Sequence, residues 1–206
     1  FSEVLHDLAN GEQKADLARI LAAANHLSTL INDVLELSRI EAGRSRVDLR
    51  RFVLATLLEQ AIAYAKKCNP DAVTTVVLPE SLELGEMISD RAKVAQIFEN
   101  LLDNAVKFTP DGTVTLSVEQ TSADPAEMLF TITDNGIGMD EDTLAQLFTA
   151  FYQADSSATR PYGGAGIGLT ITEQFCRLLG GKIEVTSQLG EGSTFRVYLP
   201  RELVVG

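Results

Sequence analysis

Apolar positions recur in steps of three and four between residues 14 and 42: Leu17, Ile20, Ala24, Leu27, Ile31, Val34 and Ser38. That spacing writes a long helix with an apolar seam down one side, and such a seam needs partner helices to cover it. Gly43 follows as a C-cap. Residues 1–9 read as a shorter apolar helix, broken at Asn10-Gly11. The short segment cannot cover the whole seam. Dimerisation and a longer first helix upstream are both expected to complete it, as in a four-helix bundle.

Beyond Gly43 the period changes. Residues 46–52, 73–78 and 87–89 read as strands, and 53–67 as an amphipathic helix. Asp90 is a natural N-cap for a helix running to Phe108. Residues 113–120 and 128–133 read as neighbouring strands, joined through a loop with Asp124-Pro125. Residues 139–148 suggest a short helix, and 152–165 a loop rich in Gly, Ser and Ala. A helix over 166–179 follows. Residues 182–187 and 193–200 close the chain as a hairpin around Gly190-Glu191-Gly192. The sum is an α+β layer, a mixed sheet covered by helices on one face.

Composition narrows the picture. Of 206 residues, 45% are hydrophobic and 22% charged, which suits a packed core. No apolar run is long enough to span a bilayer. The chain starts at Phe1 without a secretory signal and reads as a fragment of a longer protein. A net charge of −12 argues against general nucleic-acid binding and against docking on anionic lipid. Cys68 and Cys176 lack metal-type neighbours and are expected as free, buried thiols.

Four segments carry candidate chemistry. In Asn100-Leu101-Leu102-Asp103-Asn104-Ala105-Val106-Lys107-Phe108-Thr109, the spacing i, i+4, i+7 puts Asn100, Asn104 and Lys107 on one helix face. A neutral amide oxygen suits Mg²⁺, which keeps waters and bridges phosphates, and a lysine can pair with phosphate. A solvated polar face is the alternative. In Asp134-Asn135-Gly136-Ile137-Gly138-Met139, a carboxylate at a strand end can accept from an amine. Its glycines let a flat base approach the backbone. An ordinary glycine turn is the alternative. In Gly163-Gly164-Ala165-Gly166-Ile167-Gly168-Leu169, glycines run into a helix N-terminus and form a phosphate cradle or a hinge. This is neither a P-loop nor a dinucleotide fingerprint. Gly190-Glu191-Gly192-Ser193-Thr194-Phe195 reads as a hairpin turn that supports the base site.

In order and spacing these segments resemble the N, G1, G2 and G3 boxes of the sensor histidine kinase ATPase domain. Phe148-Thr149-Ala150-Phe151-Tyr152 resembles its F box, which is absent from the gyrase, heat-shock and mismatch-repair relatives of the fold. The stretch from Leu30-Ile31-Asn32-Asp33 to Glu41-Ala42-Gly43 is similar to the end of the family's second dimerisation helix. The resemblance implies a Bergerat-type α/β sandwich over 44–206, preceded at 1–43 by a helical hairpin remnant of a dimerisation domain. It implies that Asp134 binds the adenine amino group, with Gly136 and Gly138 making room. Asn104 would ligate Mg²⁺, and Asn100 and Lys107 would contact the phosphates as catalytic residues. Residues 152–165 would form a lid over ATP. Gly164, Gly166, Ile167, Gly168 and Leu169 would wrap the phosphates, and Thr194 would support the nucleotide. Arg160 either reaches the γ-phosphate or stays solvated. Glu99 is discounted as a general base, because it points about 100° away from the Asn100–Asn104 row.

The implied reaction moves the ATP γ-phosphoryl to a histidine of the first dimerisation helix, then to an aspartate of a response-regulator receiver domain. Neither His6 nor His26 stands in the family's His-acidic-Leu-Arg context. The acceptor is therefore expected upstream of Phe1, so this chain alone would bind Mg·ATP without phosphorylating itself. A homodimer through the helical part and a cytoplasmic location are implied. A nucleotide-binding scaffold that signals by conformation is the rival reading.

Overall fold

The computed structural model describes residues 11–68, 73–77, 85–109, 111–121, 127–153 and 166–203. The chain forms two compact units, Phe1–Ser45 and Arg46–Gly206. In the first, helix α1 spans Gly11–Glu41. Gly43, at a φ of +64°, turns the chain out of the helix. Ile20, Leu27, Ile31 and Val34 of the heptad seam are exposed on the single chain, at 63%, 58%, 51% and 40%. The expected helix over residues 1–9 lies outside the described residues. No described helix is long and apolar enough to cross a membrane.

The second unit runs β1 (Leu49–Val53), α2 (Leu54–Cys68), β2 (Val73–Val77), β3 (Glu86–Asp90), α3 (Arg91–Lys107), β4 (Asp111–Gln120) and β5 (Glu127–Asp134). It continues with α4 (Glu141–Gln146), α5 (Gly168–Leu178), β6 (Lys182–Gln188) and β7 (Gly192–Pro200). Five strands form one sheet in the order β2-β4-β5-β7-β6. Only the β2–β4 pair is parallel. β1 and β3 pair antiparallel as a separate ribbon.

Strand alternation puts Val114, Leu116, Phe130, Ile132, Phe195, Val197 and Leu199 on one face, all buried. Helix α3 supplies Val94, Ile97, Phe98, Leu101, Leu102, Ala105 and Val106 at the matching three-four spacing. The Phe98 and Phe130 rings meet at 4.7 Å between centroids, tilted by 55°. The opposite sheet face carries Thr115, Thr133, Thr194 and Thr186 in register across four strands. The mixed sheet with helices on one face is thus as the alternation implied. Cys176 is buried and free. Burial, with Glu173 adding, pushes its thiol up to about 12, so it is an inert core side chain. The Cys68 side chain lies outside the described residues.

Asp90 organises the start of α3. It accepts from the backbone N–H groups of Ala92 and Lys93, from Lys93 Nζ at 2.9 Å and from Asp48 N–H at 3.0 Å. Lys93 Nζ also donates to the Arg46 carbonyl at 2.8 Å and lies 5.6 Å from the Phe175 ring centroid. These bonds draw the backbone of Arg46 and Asp48 toward α3, and the first strand starts at Leu49 rather than at residue 46. Two other boundaries move for local reasons. Asp140 caps α4 through Thr143 N–H, so that helix starts later than residue 139. Gly166, at a φ of +67°, delays α5 to Gly168.

Burial works to raise the Asp90 carboxyl, but the bonds from Asp48 and Lys93 outweigh it and hold the group below the usual aspartate range. A depressed native value adds stability above the unfolded-state value and loses it as pH falls through the native one. Asp90→Ala is expected to cost about 2–3 kcal/mol in urea unfolding at pH 7, combining a lost cap with a half-buried Lys93 that loses its carboxylate partner. The deficit should shrink as the pH is taken below the ordinary aspartate range. A cost under about 1 kcal/mol would show that Asp90 is only a surface cap.

Candidate functional site

Asp134 ends β5, and its side chain shares the buried face with Ile132 and Phe130. A buried carboxylate needs donors. Asp134 Oδ1 accepts from Gly136 N–H at 2.9 Å, and Thr109 Oγ1 stands 3.5 Å away. Ser193, paired opposite on β7, favours the ionised carboxylate through both its backbone N–H and its hydroxyl. Burial still pushes the Asp134 carboxyl above its ordinary range, with Gly136, Ser193 and Thr109 acting against it.

The loop after Asp134 is locked to the β6–β7 hairpin and to the end of α3. Ile137 N–H donates to the Phe108 carbonyl at 3.2 Å, and Gly190 N–H to the Ile137 carbonyl at 2.7 Å. Met139 N–H donates to Ser187 Oγ at 2.9 Å. Asn135 brackets Thr113: its N–H donates to the Thr113 carbonyl at 3.3 Å, and its Oδ1 accepts from Thr113 N–H at 2.7 Å. Two glycines are steric requirements here. A Cβ on Gly136 would strike the Phe108 carbonyl and lie 2.5 Å from Thr109 Oγ1. A Cβ on Gly138 would strike the Gln188 carbonyl, at a φ of +63° that disfavours side chains in any case.

The second cluster lies at the start of α5. Ile167 occupies its N-cap and makes no side-chain cap bond, and a helix N-terminus of this kind favours an anion. Asn100 of α3 reaches this helix end: its Nδ2 donates to the Gly168 carbonyl at 3.0 Å and to Thr172 Oγ1 at 3.3 Å. A Cβ on Gly168 would touch the Asn100 side chain at 3.4 Å. Ile167 is buried and Leu169 half-buried. Gly166 accepts from Phe151 N–H at 2.9 Å, and Phe151, at a φ of +67°, is 64% exposed.

Helix α3 joins the two clusters. Asn100 stands at the α5 end, and Phe108 and Thr109 at the Asp134 end, about 12 Å of helical rise away. Asn104, half-buried, and Lys107 lie between. Burial pulls the Lys107 ammonium below the usual lysine range, with Asp103 opposing, and the ammonium lies 5.1 Å from the exposed Phe108 ring. Burial raises the Glu99 carboxyl, with Arg91 opposing. Arg160 and Gly164 lie outside the described residues, as do His6 and the His26 side chain.

Thr194 stands apart from the expected set. Buried Phe195, Val197 and Leu199 fix the alternation of β7, so Ser193 faces Asp134 and Thr194 faces the other side. There its hydroxyl pairs with Thr133 Oγ1 at 3.2 Å. Thr194 does line a cavity of about 310 Å³ that also touches Asp134, Ser187 and Ser193. Asn100, Asn104 and Lys107 do not line it. Sequence reasoning passed over Ser193, Thr109 and Phe108. Counting back in twos from Phe195 would have found Ser193.

The residues fit a magnesium nucleotide. They offer a buried acceptor with close backbone approach at one end and an uncapped helix terminus at the other. An amide and a half-desolvated ammonium stand between. Among the described residues, no cluster of three His, Cys, Asp or Glu side chains could hold a metal. An ion here would rest on an amide, waters and phosphate oxygens, which is the manner Mg²⁺ favours.

Residues 89–203 match the family model described as histidine kinase-, DNA gyrase B- and HSP90-like ATPase. Residues 1–43 match that of the His Kinase A (phospho-acceptor) domain. The chain is 37% identical over 198 residues to the autoinducer 2 sensor kinase/phosphatase LuxQ of Vibrio cholerae, covering 95% of this chain and 23% of that protein. It is 39% identical over 198 residues to the circadian input-output histidine kinase CikA of Synechococcus elongatus, covering 94% and 26%. Full-length ShkA, solved in complex with AMPPNP, is similar with a TM-score of 0.75 at 27% identity, over 96% of this chain and 40% of that one. The chain spans about a quarter of the length of these two curated relatives.

Steric need and backbone strain separate at two glycines. Gly136→Ala is expected to destabilise by about 2 kcal/mol or more, because its new methyl meets fixed backbone. Gly190→Ala, at a φ of +83° in open space, should cost only about 1–2 kcal/mol. Urea unfolding of both variants checks the order, and equal losses would refute the interlock of loop and α3.

Proposed function

The chain belongs to the histidine kinase-, DNA gyrase B- and HSP90-like ATPase family, and with its phospho-acceptor match to the sensor histidine kinases; on that premise we propose that it is a kinase core that passes the γ-phosphoryl group of ATP to a histidine. The phosphoryl group then moves to an aspartate of a response-regulator receiver domain. The observation that carries the reading is the buried Asp134 carboxylate, joined by one helix to the uncapped N-terminus of α5.

Asp134 accepts from the adenine amino group, and Gly136 and Gly138 leave the base room against the backbone. Ser193 and Thr109 keep the carboxylate ionised and aimed. Phe108, whose carbonyl meets the loop after Asp134, offers an exposed ring at that end of α3. At the other end, α5 N–H groups around Ile167, Gly168 and Leu169 receive phosphate oxygens, together with Gly164 and Gly166. Asn100 fixes the start of α5 and presents its amide to the phosphates. Lys107 adds positive charge, and its partial desolvation strengthens that attraction. Asn104 provides the amide oxygen for Mg²⁺. Arg160 serves the γ-phosphate from the lid. Bound Mg·ATP supplies the reactive phosphoryl group and the metal charge that offsets its oxygens. The protein contributes position and electrostatics. The open seam of α1, with Ile20, Leu27, Ile31 and Val34, is the homodimer surface. The reading places the module in the cytoplasm, with its ATP and its regulator.

Titration calorimetry of ATP with and without Mg²⁺ tests this. Mg²⁺-dependent binding is expected for the unmodified chain. Asp134→Ala should weaken ATP by about tenfold to a hundredfold, the loss of a charge-assisted bond. Asn104→Ala should abolish the Mg²⁺ dependence. Absence of binding by the unmodified chain would refute the reading.

The raised Asp134 value gives a second test. Only the ionised carboxylate has both oxygens free to accept. ATP affinity should hold at neutral pH and fall on acidification, with its midpoint above the ordinary aspartate range. A midpoint within that range would show that Asp134 does not meet the base.

A further inference from the structure

Ser187 belongs to none of the four motifs, yet its hydroxyl sits where three segments meet. Ser187 Oγ accepts from Met139 N–H at 2.9 Å, in the loop that follows Asp134. It donates to the Gly192 carbonyl at 2.7 Å, across the hairpin. It also lies 3.0 Å from Ser193 Oγ. Ser193 in turn is paired with Asp134 across β5 and β7, lines the same cavity, and favours the ionised form of that carboxyl.

One hydroxyl has one proton and two lone pairs. The Met139 amide occupies one lone pair of Ser187. The Ser187 proton goes to the Gly192 carbonyl, or is shared with Ser193 Oγ. Ser187 therefore has no need of the Ser193 proton, and the Asp134 carboxylate is the stronger acceptor for it. Where the Ser187 proton is shared with Ser193 Oγ, the linked hydroxyls polarise one another, and the Ser193 proton is left for the carboxylate. Backbone packing adds to this. A Cβ on Gly192 would strike the Asp134 carbonyl, and one on Gly138 the Gln188 carbonyl. The hairpin and the loop are thus in van der Waals contact on both sides of the Ser187 hydroxyl. Ser187 also lines the cavity that Asp134 and Ser193 share.

We propose that Ser187 is a positioning residue for base recognition, holding the Met139 amide, the Gly192 carbonyl and the Ser193 hydroxyl so that Ser193 keeps Asp134 aimed at the nucleobase. It acts through Ser193 and the loop, at the base end of the site. The inference rests on the reading of Asp134 as the adenine acceptor.

The test uses the whole chain with Ser187→Ala and Ser187→Thr. Calorimetry with Mg²⁺ measures ATP and inorganic tripolyphosphate, which lacks the base, and thermal unfolding checks the fold. Ser187→Ala should weaken ATP by about tenfold, the worth of one hydrogen bond, and leave tripolyphosphate within about twofold. Ser187→Thr, which keeps the hydroxyl, should restore ATP to within about threefold. Three results would overturn the proposal: Ser187→Ala binding ATP like the unmodified chain, ATP and tripolyphosphate weakening in proportion, or no rescue by threonine. If the unmodified chain fails to bind Mg·ATP, the functional reading falls as well. If it binds and Ser187→Ala binds equally, only the role of Ser187 falls.

Discussion

A carboxylate buried at the end of a strand has to be given hydrogen-bond donors, and the arrangement around Asp134 follows from that need. No single segment can supply them. Gly136 gives a backbone N–H from the next turn, Thr109 stands at the exit of α3, and Ser193 faces the carboxyl from the neighbouring strand. Meeting the need brings three distant stretches of chain together. Close approach then forbids side chains at Gly136, Gly138 and Gly192. The glycines of two separate motifs are therefore one packing requirement seen from both sides.

Helix α3 is the second organising element. Its buried face, with Phe98 against Phe130, fixes it on the sheet. Its N-terminus is held by Asp90 and Lys93, and its C-terminal exit meets the Asp134 loop. Its polar row runs from Asn100 at α5 to Lys107 beside Phe108. On the proposed reading, one helix thereby sets the distance between the base end and the phosphate end. A shift of α3 would change both ends together, so a well-anchored N-cap far from the chemistry bears on nucleotide geometry.

The polar face of the sheet has a different character. The threonines at 115, 133, 194 and 186 form a row of short polar side chains, and Lys182, Glu184, Arg196 and Tyr198 continue it. Such a face exposes little apolar surface, which leaves the helical layer as the place where the core is built. Thr194 belongs to this outer row, although its neighbours in the motif serve the inner face.

The sequence by itself determined the kinds of element and their order. The three-four spacing of α1 and α3, the alternation of β5 and β7, and Asp90 as a cap all express local periodicities of 3.6 and 2.0 residues. The four polar and glycine-rich segments were equally legible, because each is contiguous. What only the tertiary structure decided are contacts between residues distant in sequence. It drew Asp48 to Asp90 and so shortened β1, turned Ser193 rather than Thr194 toward Asp134, and set Ser187 among three segments. A hydroxyl in a strand has no local signature of its partners. Its meaning comes from which backbone groups the packed sheet and loops bring within about 3 Å of it.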